Sequence, residues 1–397
     1  MTRLIKNELN RIYTCKINRI SVLLLIMISV IYGFLTVFQD QTITYYEQGI
    51  IYGLDAITFE KNLSHGTVKI NDDEINKVID NFQKQTNNIN STDGEAFKTM
   101  YSKELRPYEE VISLIDFTLG GTYMDQYKKI LEVKTPINFV ELWKDKTNCT
   151  VKTQSFKSGY SKGYQRFLKK NMDLFLFMSI MLAICLSKMF SQDKEERMNE
   201  IISTTKNMGT NHFVAKVIAG IIISSFYYLL ALVPFSIIIF SIYGLAGWDV
   251  NVQLGIAPLF PNLLTYGQLL SRAILIGLLA SVLMGLLIMF FSKVFLSSSV
   301  SVICSIILCF ISNIMISLLN ISSSSILRYC FPITMVDVSS VLNFDMTKLL
   351  FTLLLFFFFF TLEPGALQAL DQAGEAFIAA QLERGFRTLD YYKALLG

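Results

Sequence analysis

The sequence predicts an all-α membrane protein of about six transmembrane helices, since one crossing of a bilayer takes ~20 apolar residues. Of its 397 residues 52% are hydrophobic and only 17% are charged, and the mean hydropathy is +0.45, a combination soluble domains of this length seldom reach. The apolar residues also lie in long blocks, five of roughly crossing length and a sixth that is shorter. The basic residues flank those blocks, and the net charge of +3 is too small to point to a nucleic-acid partner.

Residues 1–19 carry Arg3, Lys6, Arg11, Lys16 and Arg19 against Glu8, with Leu4, Ile5, Leu9, Ile12 and Tyr13 at helical spacing. This predicts an amphipathic elbow helix on the cytoplasmic face. Residues 20–38 form the first span, with the apolar run Ser21–Phe38 at its heart. No small-residue cleavage site follows that run, so it reads as a retained span, and its positive flank puts the amino terminus inside. From 39 to 170 the composition turns to Asn, Asp, Lys, Tyr and Thr, enough chain for an extracytoplasmic domain. Ile75, Val78, Ile79 and Phe82 recur at helical spacing and predict a mainly helical domain. Its aromatic residues, Trp143 included, are expected in its core rather than against a ligand, and Ser158–Gly163 reads as a hinge.

The bundle occupies 171–362. Met172–Met189 is the expected second span and Phe213–Tyr243 holds the third, with Pro234 a kink site. The segment 244–270 has no Lys or Arg, as suits an outer loop, and Ala273–Phe291 is the fourth span. Ser292–Leu296 is an inner turn, Ser297–Leu319 the fifth span, and 320–348 an outer loop with a short helix near Pro332. Leu349–Leu362 begins a sixth span that falls short of the ~20 residues a crossing needs. Beyond it, 364–397 has no Asn and no Ser and is rich in Ala, Gln and Leu. The tail 363–397 therefore reads as a fused or frame-shifted end; a natural cytoplasmic tail is the alternative.

The chemistry of an enzyme is missing. There is no phosphate-binding loop, no G-x-S-x-G and no H-E-x-x-H, and the only histidines are His65 and His212. Both read as surface or capping residues. Asp173, Lys188 and Arg272 lie near span ends and the span middles are uncharged, which argues against ion coupling. Cys15, Cys149, Cys185, Cys304, Cys309 and Cys330 are scattered, without metal-ligand spacing or a disulfide framework. Neither cofactor nor metal is expected on this chain, and its energy source must lie in a partner.

The informative segment is the loop 191–211. Met198, Ile201, Ile202 and Thr205 give a short helix an apolar ridge, flanked by Glu195, Glu196, Arg197 and Glu200. Gly209 ends it. Such a ridge can fill a groove on a partner or lie on lipid. In the fifth span Ser301, Ser305, Ser312 and Asn313 form a polar stripe, read as the wall of a path or as helix packing, with packing favoured.

Glu195-Glu196, Glu200-Ile201-Ile202-Ser203-Thr204, Gly209 and Ala215-Lys216-Val217-Ile218-Ala219 resemble the loop between the second and third spans of type-2 ATP-binding-cassette exporter permeases. Leu4-Ile5-Lys6-Asn7-Glu8-Leu9 with the basic residues after it resembles that family's elbow helix. The resemblance covers residues 1 to about 362. It implies that residues 194–208 form a coupling helix seated in a separate cytoplasmic ATPase, which holds ATP and Mg. It further implies a dimer of two permeases, identical or not, in a bacterial-type plasma membrane with both termini cytoplasmic. The implied cargo of such an efflux system is a peptide, drug or lipid-like compound. The rival class is a non-transporting membrane sensor or immunity protein that binds a ligand outside and recruits a cytoplasmic partner.

Overall fold

In a computed structural model of the chain, residues 1–43, 49–64, 66–88, 95–122, 127–150, 155–196, 208–295, 297–319, 327–350, 352 and 354 are described. The long apolar blocks form long helices, because a helix satisfies its own backbone where water is absent. Helix α1 spans Thr2–Thr14 and α2 spans Lys16–Phe38, with Cys15 extended between them. The elbow thus ends earlier than the expected residue 19: Lys16 and Arg19 open α2.

A small domain of short elements follows. Strands β1 (Gln41–Ile43) and β2 (Ile50–Tyr52) pair antiparallel, as do β3 (Val68–Ile70) and β4 (Phe156–Ser158), with Ile70 opposite Phe156. Its helices are α3 (Gly53–Leu63), α4 (Asp72–Asn88), α5 (Glu95–Met100), α6 (Glu109–Thr118), α7 (Lys128–Leu131) and α8 (Phe139–Thr147). Ile75, Val78, Ile79 and Phe82 turn one face of α4 into the domain core and are all buried. Trp143 is fully buried too, its ring edge-on to Phe156 with centroids 5.1 Å apart.

The chain then forms α9 (Lys162–Leu186), α10 (Lys188–Glu195), α11 (Met208–Tyr243), α12 (Tyr266–Val294) and α13 (Ser298–Leu319). The helix of α9 begins within the segment expected as a hinge. Short helices α14 (Leu327–Cys330), α15 (Pro332–Met335) and α16 (Val338–Leu342) follow, α15 opening on Pro332, whose fixed φ suits a first helical turn. A capping box of Thr265 and Gln268 starts α12.

The protein is mostly helical, and among the described residues four helical stretches are long and apolar enough to cross a membrane: Lys16–Phe38, Lys162–Glu195, Asn211–Tyr243 and Tyr266–Val294. On that ground we read the chain as a membrane protein. Within α13 the stretch Ser298–Ile311 is apolar but shorter. Most of the expected sixth span, Leu349–Leu362, and the whole tail 363–397 lie outside the described residues.

Small residues set the helix contacts. On α2, Ser21, Leu25, Ser29 and Gly33 form a buried stripe against α11. Ser21 shares a hydrogen bond of 2.7 Å with the Tyr227 hydroxyl, and Ser29 Oγ donates to the Ala231 carbonyl at 2.5 Å. That carbonyl neighbours the one that Pro234 leaves without its helical donor, and α11 continues through the proline. Between α11 and α12 the approach is closer: a methyl on Gly277 would collide with Tyr228, and one on Gly285 with Ser224. Small residues allow such contact where lipid supplies no hydrophobic drive between helices.

Gly285→Leu is expected to lower the apparent melting temperature of the detergent-purified protein, overpacking of this kind costing about 1–3 kcal/mol. Gly66→Ala, where a methyl would meet nothing within 4 Å, should leave it unchanged. Scanning fluorimetry reads both.

Candidate functional site

At the α1 end of the bundle, the adjacent residues Asp193, Lys194 and Glu195 close α10 just before the loop to α11. Each is tied to a different part of the fold. The Asp193 carboxylate is 4% exposed and takes the Lys216 ammonium of α11, itself 1% exposed, and the Arg11 guanidinium of α1 at 2.9 Å. Lys216 and Arg11 also donate to the Met189 carbonyl, at 2.6 and 3.2 Å. Glu8 of α1 lies 3.2 Å from Arg11 and 3.0 Å from Nε2 of His212 on α11.

Lys194 and Glu195 address the turn between α12 and α13. Lys194 Nζ donates to the Lys293 carbonyl and lies 3.5 Å from that of Val294, so a cation sits on the last carbonyls of α12. Glu195 Oε1 accepts the Ser298 amide at 2.7 Å, so an anion caps the first turn of α13. Each charge has the sign that the dipole of its helix end favours. The break between α9 and α10 at Ser187 belongs to the same junction. There Ser292 Oγ accepts the amides of Phe190 and Ser191, at 2.9 and 3.0 Å, and donates to the Ser187 carbonyl at 2.6 Å. A side chain entering the helical ladder is a recognised cause of a helix bend. Ser191 and Ser298 hydroxyls, 2.9 Å apart, complete the contact.

Of the residues the sequence singles out in this loop, Glu195 and Glu196 are described. Glu195 serves inside the chain, and Glu196 accepts the Gln192 amide at 2.7 Å. Arg197, Met198, Glu200, Ile201, Ile202 and Thr205 lie outside the described residues; Gly209 falls in the first turn of α11. Ser301 and Ser305 are fully buried, Ser305 Oγ donating to the Ser301 carbonyl at 2.8 Å. The side chains of Ser312 and Asn313 lie outside the described residues. The sequence reading missed Asp193 and the network of Glu8, Arg11, His212 and Lys216. Lys216 was the available signal, because a lysine inside an apolar helix must find an anion.

Comparison with family models, curated proteins and solved structures returns no match.

A second charged junction joins the opposite end of the bundle to the domain. The Asp40 side chain, fully buried at the end of α2, takes Arg166 of α9 and accepts the Tyr243 hydroxyl of α11 at 2.7 Å. Lys162 lies 3.7 Å from Asp40 and pairs with Glu60 of α3. Beside it opens a cavity of about 410 Å³ lined in part by Glu60, Arg106, Glu109, Glu110, Tyr160 and Lys162. Arg106 bridges Glu60 at 3.5 Å and Glu109 at 2.6 Å. The Glu110 carboxyl keeps a hydrogen bond from Gln165. Desolvation within this concave wall, reinforced by the charges of Glu109 and Glu60 against the opposing Gln165 hydrogen bond, pushes Glu110 from its ordinary 4.5 up to about 8. Desolvation raises Glu109 as well, the nearby Arg106 opposing it. Among the described residues no cluster of His, Cys, Asp and Glu has the makings of a metal site.

Asp193→Asn leaves the Lys216 cation buried without its counter-charge, and removing one partner of a buried pair costs about 3–5 kcal/mol. The joint change Asp193→Leu and Lys216→Met should cost less than Asp193→Asn alone, since no fully buried cation is orphaned and the partly exposed Arg11 keeps Glu8 at 3.2 Å; thermal unfolding of the purified variants checks the order. For Glu110 the folded state holds a proton the unfolded state has released. Its contribution to stability is full below pH 4.5 and is lost as pH rises through about 8. Melting temperatures taken across that window should fall with pH, and more shallowly in Glu110→Gln, where Glu109, raised in the same direction, still contributes.

Proposed function

We propose that the chain is the membrane subunit of an ATP-driven exporter of the type-2 ATP-binding-cassette class, with ATP hydrolysis in a separate cytoplasmic polypeptide. The observation that supports this reading most is the root of the loop 197–207. Asp193, Lys194 and Glu195 attach that root to α1, to α11 and to both ends of the α12–α13 turn. A force applied to the loop would therefore reach the inner ends of five helices at once. A partner that changes shape with its nucleotide state needs such a handle, because it can shift this chain only through contacts that differ between its own states. In this proposal Ile201 and Ile202 are the anchor in a partner groove, with Met198 and Thr205 beside them and Arg197 and Glu200 on the rim. The α1 end faces the cytoplasm, the domain lies outside, and two such subunits make the path for a peptide, drug or lipid-like cargo.

The cavity of about 410 Å³ in the domain supports the second reading, a sensor or immunity protein that holds a ligand there and recruits a partner through the same loop. The two readings differ in what the loop binds. Full-length chain, native or carrying Ile201→Asp with Ile202→Asp, is purified from its own membranes and its partners are identified by mass spectrometry. The exporter reading expects a polypeptide with a phosphate-binding loop in the native sample and its loss from the variant. The same partners in both samples overturn the assignment of the loop, and a kinase or regulator in place of the ATPase favours the sensor.

A further inference from the structure

A crevice of about 300 Å³ lies where α1 turns into α2, walled by Ile12 and Tyr13 of α1, Val22 of α2, Cys185 of α9, and Ile223 and Phe226 of α11. Its walls are almost wholly apolar, and two of its polar lining groups already have partners within the chain. The Asn18 amide donates to the Ile12 carbonyl at 3.0 Å, and the Tyr227 hydroxyl shares a hydrogen bond with Ser21. Its mouth is flanked by Leu23 and Phe226, both exposed on the outer surface of long apolar helices, so it opens sideways toward hydrocarbon.

The rim has a different character. Arg19 lines the crevice and is exposed, one guanidinium nitrogen donating to the Thr14 carbonyl at 3.1 Å, and Lys16, three residues before it on α2, is exposed as well. The acid of α1, Glu8, is buried and turned inward to Arg11 and His212. Exposed Arg19 and Lys16 beside an apolar slot have the polarity of a phospholipid reversed in charge: a chain below, a negative headgroup above. Arginine suits the phosphate because its planar guanidinium can bind two oxygens together. The surplus of positive charge favours a headgroup with a net negative charge over a zwitterionic one.

We propose that this crevice seats one acyl chain of an anionic phospholipid from the leaflet on which α1 lies, with the phosphate on Arg19 and Lys16. The lipid wedges between α1 and α11, the helices that Arg11 and Lys216 join through Asp193, and so holds the elbow in the position required by the charged hub of Asp193, Lys194 and Glu195 with their partners. This site does not depend on the exporter reading, only on the chain residing in a membrane.

The test uses full-length protein, delipidated in detergent and observed by native mass spectrometry with dioleoylphosphatidylglycerol or dioleoylphosphatidylcholine at matched concentrations. One phosphatidylglycerol adduct should persist at collision energies that strip phosphatidylcholine. Arg19→Gln, an exposed position, should weaken that adduct about fivefold, as one basic residue at an anionic lipid surface does. Val22→Trp, which fills the slot, should abolish it in protein that keeps its native helix content and elution volume. Equal retention of the two lipids, or an unchanged adduct in Arg19→Gln, overturns the proposal whatever Val22→Trp does.

Discussion

The buried pairing of Asp193 with Lys216 is the constraint on which the α1 end of the molecule depends. Two opposite charges almost without exposure are tolerated only together, so α10 and α11 cannot part without stranding one of them. Arg11 joins the same carboxylate and thereby fixes the elbow helix. Such a pair adds little net stability compared with apolar side chains of the same volume, whereas removing one member strands the other. With Asp193 fixed, its neighbours in sequence are placed as well: Lys194 reaches the end of α12 and Glu195 the start of α13. One helical turn thus dictates the relative position of most of the bundle at this end.

Asp40 plays a comparable part at the other end. It gathers Arg166 and Tyr243 from the two helices that pack on α2, while Lys162 passes the connection to Glu60 and the domain. Between the two junctions the contacts are of another kind, with Ser29, Gly33, Gly277 and Gly285 letting helices approach closely. Tightly specified ends with a small-residue middle suit helices that move as stiff bodies, with displacement at one end appearing at the other. The domain cavity borders the Asp40 junction, so a ligand or a change of protonation at Glu110 would act on the same helices from the opposite side.

Periodicity made much of the fold legible in the sequence. Ile75, Val78, Ile79 and Phe82 announced a half-buried helix, and the apolar blocks announced the long ones. The Thr265 to Gln268 spacing is a local signal for the start of α12. The boundary at Cys15 was not legible, because neither glycine nor proline marks it and Lys16 continues the helical pattern. The small strands were missed for a similar reason: each has only three residues, and β3 and β4 pair across a long stretch of chain, Ile70 with Phe156. The hub escaped because its members lie far apart, Asp193 being 182 positions from Arg11 and 23 from Lys216. Charged residues at helix ends look alike in sequence whether they face solvent or each other. Only the packing decides, as His212 shows: read as a surface or capping residue, it lies against Glu8 of α1.

The claim that the hub makes one unit of the α1 end is tested most directly by a distance. Spin labels on Asn7 of α1 and Ser297 of the α12–α13 turn, in full-length protein in lipid nanodiscs with the native cysteines replaced, report whether the two are held together. A single narrow distribution is expected, and it should broaden when Lys194→Met and Glu195→Gln are introduced together. A broad distribution in the unaltered hub, or a narrow one that survives both substitutions, would contradict the claim.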